Sequence, residues 1–262
     1  MNDKHSIPPE RIDAELERIA NQAAEAGLAP VRQTLEAFDE RWYGQLVVRV
    51  YESLANQPTT DTIVPGATAI ELLRGYCRLR SELLVQLNDE RPHSLSHDQS
   101  TALLAGDYLH SSAYSSLGSL DPLPAAACSD ALTDTLMATA EAFVVGYRHR
   151  SSTMEPTRFF DDTTGNIGEC AALLGGTIAG VDENQREHAV RIGRGISTSR
   201  QIGRILDADP SLFKVVPRFI DESKLREHAD DCREDARVAL RALSSTGDVT
   251  PLRRLVEDEL PT

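Results

Sequence analysis

Apolar residues recur every three to four positions through nearly every segment of this chain, and no segment alternates apolar with polar residues as a half-buried strand would. That periodicity predicts an all-α fold. Long helices joined by short connectors predict a helical bundle in which sequence neighbours run antiparallel. No stretch rich in Gly, Ser or Pro reads as a linker, so residues 1–262 are read as a single domain.

Pro8-Pro9 opens a first helix that Gly27 closes. A second follows Pro30 and runs through Leu35, Phe38, Trp42, Leu46 and Val50 to about Asn56. QPTTDTIVPG reads as a connector into a third helix over about 66–88, and NDERPHSLSHD as a loop before the helix DQSTALLAGDYLHSSAYSSL. Further helices are predicted over about 124–148, 155–180, 184–207, 222–244 and 249–259. AALLGGTIAG and IGRGISTSRQIG place small residues where larger ones would fill a core, at about 1 kcal/mol per glycine relative to alanine. Either two helices approach closely there or the stripe walls a cavity.

The 41 acidic and 27 basic residues give a net charge of −14, which argues against non-specific binding to nucleic acid or anionic lipid. Only Lys4, Lys214 and Lys224 are lysines, the other 24 basic residues being arginine, and an acidic surface almost without lysine suggests a salt-adapted cytoplasm. Cys77, Cys128, Cys170 and Cys232 form no CxxC pair, so the cysteines signal neither zinc nor a disulfide framework. MNDKHSIPPE has no apolar signal core and AALLGGTIAGV is too short to cross a bilayer, so a soluble, cytoplasmic protein is expected.

Chemistry concentrates in ELLRGYCRLRSELLVQLNDERP, residues 71–92. On a helix, Leu72, Tyr76, Leu79, Leu83 and Leu87 share one stripe, and Arg74, Arg78, Ser81, Glu82 and Val85 another. Taken alone, Glu71 with Arg74 and Arg78 with Glu82 are solvent-facing pairs worth a few tenths of a kcal/mol each.

The order of the pieces resembles the class I trans-isoprenyl diphosphate synthases, the polyprenyl synthetase family. Where that family has ELxH leading to DDxxD, this chain has Glu71-Leu72-Leu73-Arg74 leading to Ser81-Glu82-Leu83-Leu84-Val85. The family's Arg-Arg pair falls on Glu90-Arg91 and its Gly-Asp on Gly106-Asp107; Gly-Gln with a later Asp falls on Gly146-Tyr147 with Arg150. Its Lys-Thr falls on Thr163-Thr164 and its second aspartate motif on Gly203-Arg204-Ile205-Leu206-Asp207. KLREHADDCREDARVALRAL is similar to the C-terminal segment, so the resemblance covers about 66–260.

The resemblance implies a homodimer or a heterodimer with an active prenyl synthase, and magnesium held between two aspartate clusters. Of those clusters only Glu82 and Asp207 remain, among Arg78, Arg80, Arg200 and Arg204. Magnesium needs hard oxygen donors, so a non-catalytic member without metal or cofactor is expected. The residues that would bind a diphosphate or form a charge network are Arg74, Arg78, Arg80, Glu82, Arg91, Asp107, Arg200, Arg204 and Asp207. Their arginines pair either within the protein, Arg204 with Glu82 and Arg78 with Asp207 or Asp107, or with a prenyl diphosphate. The alternative is an active prenyltransferase using Glu82, Asp107 and Asp207 as altered magnesium ligands. His93, His97 and Asp98 read as loop residues, Asp161-Asp162 as helix-end or surface charge, and Ser197, Thr198 and Ser199 as packing residues.

Overall fold

Helix α1 (Glu10–Glu25) starts at the Pro8-Pro9 pair and ends where Gly27 adopts a φ of 82°, a left-handed conformation that costs glycine nothing. The computed structural model describes residues 8–37, 40–88, 98–148, 155–207, 221–245 and 248–258. Among these there are eleven α-helices, one π-helical turn and no strand.

The expected second helix is two. α2 (Ala29–Glu36) stops, and α3 (Trp42–Leu54) is a separate helix. Arg41 stabilises the break: its Nη1 donates to the Leu35 carbonyl at the end of α2, at 2.7 Å, and its Nε to Asp13 of α1, also at 2.7 Å. A guanidinium thus takes a carbonyl that a continuous helix would have used. The next boundary also differs. α4 (Thr60–Asn88) begins inside the expected connector and carries Pro65 within it. Proline there removes only the N–H that would reach the solvent-side Asp61, whose carboxylate is bound by Arg11 at 2.7 Å.

α5 (Gln99–Leu117) is capped by Asp98, which accepts from Thr101 N at 3.0 Å, so that residue serves the helix start. α6 (Pro122–Arg148) follows. The helix expected over 155–180 is interrupted: α7 (Pro156–Phe160) passes through a π turn (Asp161–Gly165) into α8 (Asn166–Ala179), which Gly180 ends at φ 70°. The π turn buries Thr163, Thr164 and Gly165 in succession. α9 (Glu183–Leu206) and α10 (Glu222–Leu243) are capped by Asp182 and Asp221, and α11 (Thr250–Asp258) closes the chain by donating Leu252 N to Ser53 Oγ at 3.2 Å.

α8 is the central rod, packed on α3, α4, α6 and α9, with α10 covering the far side of α9 and α5 covering α4. Its glycines set how closely its neighbours come. A Cβ on Gly168 would lie 2.3 Å from the Gly193 carbonyl, one on Gly193 would lie 2.3 Å from that of Gly168, and one on Gly175 2.6 Å from that of Val47. The small-residue stripes are therefore sites of backbone contact between helices, and α3, α8 and α9 meet as a tight layer. No described helix is long and apolar enough to cross a membrane.

Candidate functional site

The two helices that carry most of the predicted site residues, α4 and α9, each send an arginine to the start of α3. α4 is buried on both of its stripes: Leu72, Leu79 and Leu83 on one, Arg74 and Ser81 on the other. The Glu71–Arg74 pair is therefore a core feature and the solvent-facing reading of it is corrected. Glu71, 0% exposed, accepts from Gly44 N at 2.8 Å and from Arg74 Nη1 at 3.3 Å. Gly44 makes this possible, since a Cβ there would come within 3.2 Å of the Glu71 side chain. Burial pushes the Arg74 guanidinium down from its ordinary value, and Glu71 opposes that shift.

Above this pair sits an aromatic floor. The Arg74 guanidinium lies 5.4 Å from the centre of the Tyr43 ring and the Arg200 guanidinium 5.1 Å from that of Trp42, both within cation–π range. The two rings meet edge to face at 4.9 Å. Burial pushes the Tyr43 hydroxyl up to about 12, while Arg74, Arg200 and Arg204 all act to lower it. Arg74 of α4 and Arg200 of α9 thus lie over two rings that touch each other. Glu40 ties the two helices together: its carboxylate pairs with Arg200, and its carbonyl accepts from Arg74 Nη1 at 3.1 Å.

The remaining predicted residues divide. Arg78 and Glu82 pair along α4, Nε to Oε1 at 3.1 Å. Asp107 binds Arg80 at 2.5 Å, in place of the expected Arg78. Arg80 lies over the Tyr76 ring, 5.2 Å from its centre, and against Gly106, where a Cβ would be 3.5 Å from its Nε. It cross-links α4 to α5 and does not share the stripe of Arg74 and Arg78. Asp207 is the exposed C-cap of α9. Arg91, Arg150, His93 and His97 lie outside the described residues.

Ser197, Thr198 and Ser199 are buried, and Ser197 Oγ donates to the Gly193 carbonyl at 2.6 Å. Asp162 pairs with Arg158 at 3.2 Å as a surface charge. Asp161 does not behave as one: its Oδ1 lies 3.0 Å from His228 Nε2 and accepts from Thr198 Oγ1 at 3.3 Å.

Three residues escaped sequence reasoning. Glu71 was visible within ELLR but looked like an ordinary surface partner at i, i+3. Glu40 reaches Arg200 across 160 positions, and His228 reaches Asp161 across 67, separations for which no local pattern exists.

No family model matches the chain, and no curated protein does. Solved structures do. A geranyltransferase from Helicobacter pylori 26695 is 16% identical, with 95% of this chain and 96% of that one covered and a TM-score of 0.73. A geranylgeranyl pyrophosphate synthetase from the archaeon Geoglobus acetivorans is 17% identical, with coverage of 97% and 98% and a TM-score of 0.67. The geranyl diphosphate synthase small subunit from Antirrhinum majus is 17% identical, with 95% of each chain covered and a TM-score of 0.67. At such low identity over nearly the whole length, what is shared is the architecture: this chain has the all-α isoprenoid synthase fold of geranyl and geranylgeranyl diphosphate synthases.

Proposed function

We propose that the protein is a non-catalytic member of isoprenoid metabolism that acts as a partner of an active prenyl diphosphate synthase. The observation that carries this reading is the charge chemistry around Tyr43. Magnesium takes carboxylate, phosphate and water oxygens in near-octahedral geometry. Among the described residues, the α4 and α9 faces offer Arg74, Arg78, Arg200 and Arg204, with Glu82 already paired to Arg78 and Asp207 exposed at a helix end. This donor set does not fit a magnesium cluster, so no step of diphosphate ionisation is assigned to it.

Two further observations support association. One of the similar structures is itself a synthase small subunit. Leu103 and Leu104 of α5 and Leu123, Met137 and Val144 of α6 are large apolar side chains left exposed, the last three spaced by multiples of seven and so on one helix face. The occupant that fits is an active synthase of the same fold.

The test uses the purified full chain with isopentenyl diphosphate, an allylic diphosphate and magnesium, at low and high salt. No elongated product is expected from the chain alone. Mixed with a synthase carrying both aspartate motifs from the same source, it should co-elute and alter that enzyme's stability or product length. Condensation by the chain alone, lost when a chelator is added, would overturn the reading.

A second reading follows from Arg74 and Arg200 lying over the adjoining Tyr43 and Trp42 rings, since guanidinium groups bind phosphate oxygens bidentately. On it, the same face holds a prenyl diphosphate without ionising it. Geranyl diphosphate should then raise the melting temperature in the absence of magnesium, and an unchanged melting temperature would remove this reading.

A further inference from the structure

On α10, His228 and Cys232 stand one helical turn apart on the same face. Opposite them Asp161 opens the π turn. Asp161 Oδ1 lies 3.0 Å and Cys232 Sγ 3.6 Å from one and the same ring nitrogen, His228 Nε2. A Cys-His-Asp nucleophile arrangement needs the thiol on one ring nitrogen and the carboxylate on the other. Here both address Nε2, which holds a single hydrogen and can direct it at one acceptor only.

A metal ion serves all three at once. The three ligand atoms lie within 4.8 Å of one another, and this is the one such group of His, Cys, Asp or Glu found among the described residues. A tetrahedral zinc ion with bonds of about 2.0–2.3 Å sets its ligand atoms roughly 3.3–3.6 Å apart, so the two separations from His228 Nε2 already lie within a few tenths of an ångström of that range, and the Asp161 and Cys232 side chains need only rotate toward a common centre. Thiolate, imidazole and carboxylate together favour zinc over magnesium or calcium, which seek oxygen alone.

The frame around the group is stiff. A Cβ on Gly195 would lie 2.5 Å from the Cys232 carbonyl, so α9 and α10 touch backbone to backbone beside the sulfur. Thr198 Oγ1 donates to Asp161 at 3.3 Å, the kind of outer contact that orients a ligating carboxylate. Asp161 and His228 side chains are 25% and 26% exposed, which leaves an approach from solvent for a fourth ligand. We propose that Asp161, His228 and Cys232 form a zinc site that ties α10 to the π turn, with its fourth coordination position open. The site stands apart from the arginine face around Tyr43 and does not depend on how that face is read.

The test uses the full-length protein, reduced and stripped of metal with a chelator, then titrated with cobalt(II). A thiolate-to-cobalt charge-transfer band should saturate at one ion per chain and disappear when zinc is added. Cys77, Cys128 and Cys170 are buried in the core, so the band reports Cys232. Cys232→Ser should abolish it, and His228→Ala and Asp161→Asn should weaken cobalt binding about tenfold or more. Far-ultraviolet circular dichroism checks that the variants stay helical. A second measurement needs no variant: zinc should protect Cys232 of the native protein from alkylation by iodoacetamide. No band at excess cobalt, a band that survives in Cys232→Ser, undiminished binding by the His228 and Asp161 variants, or unprotected alkylation would each overturn the site.

Discussion

α9 separates two charged regions that treat cations in opposite ways. On the side facing α3 and α4, Arg200 lies over Trp42 and pairs with Glu40, while Arg74 lies over Tyr43 and pairs with the buried Glu71. The protein brings its own cations to that side. On the side facing α10, a carboxylate, an imidazole and a thiol converge with no arginine among them. Asp161, with Cys232 adding to it, pushes the His228 imidazole up to about 10, so the ring itself carries the positive charge while no metal is bound. One side of α9 thus faces a region whose cations are fixed arginines and the other a region where only a titratable imidazole holds the charge, and experiments that remove or add a cation should separate them.

The largest effect belongs to the first region. Glu71→Ala removes the carboxylate of a fully buried pair and leaves Arg74 desolvated beside Tyr43, a change expected to cost about 3–5 kcal/mol. Urea unfolding measures it. The double variant Glu71→Gln/Arg74→Met should recover most of that loss, because it removes both charges, nearly keeps the volume and leaves Gly44 N an acceptor. A single variant as stable as the parent would show that the pair does not organise the core.

Next comes the second region. Zinc at a hundredfold excess over its dissociation constant should stabilise the protein by about 2.7 kcal/mol, read as a rise in melting temperature. Magnesium should leave the melting temperature unchanged, since neither region offers it an oxygen cage. A magnesium shift equal to that of zinc would erase the distinction between the two sides.

How much of this was legible beforehand depended on the distance between interacting residues. Helical periodicity, glycine stops such as Gly27 and Gly180 and acidic caps such as Asp182 are local signals, and they specify most of the helices. The break between α2 and α3 was not legible because Arg41 makes it by reaching residues 6 and 28 positions away. Arg80 counts among the candidate site residues by sequence, yet it reaches Asp107 of α5, whereas Arg74 turns to α3. Glu40, His228 and Asp161 become neighbours of their partners only after the bundle is assembled. The residues of the proposed zinc site could not be grouped beforehand for the same reason: zinc spacing rules see pairs close in sequence, and Asp161 lies 67 positions from His228.

The layer between the two regions gives a smaller effect. Gly193→Ala places a Cβ 2.3 Å from the Gly168 carbonyl and 2.7 Å from the Ala172 Cβ, so α8 and α9 must separate. Overpacking of this kind costs about 1–3 kcal/mol. Because α9 carries Arg200 and abuts the Asp161, His228 and Cys232 group through Gly195 and Thr198, its displacement should also weaken the cobalt band described above. A Gly193→Ala protein with native stability would mean that the two helices are not held in backbone contact.

The smallest effect falls on Glu82, and its size discriminates between two accounts of the α4 face. Arg78 and Glu82 form an i, i+4 pair with side chains 19% and 16% exposed, and the basic residue comes first, the weaker order against the helix dipole. Such a pair contributes about 0.3–0.5 kcal/mol. Glu82→Gln keeps the shape and a hydrogen-bond acceptor for Arg78, so the loss should stay near that figure by urea unfolding. If Glu82 instead were the surviving ligand of a working magnesium cluster, the same substitution would abolish magnesium-dependent prenyl transfer while scarcely moving stability. On the charge-paired account there is no transfer to lose, and product analysis of parent and variant should show equal, background conversion.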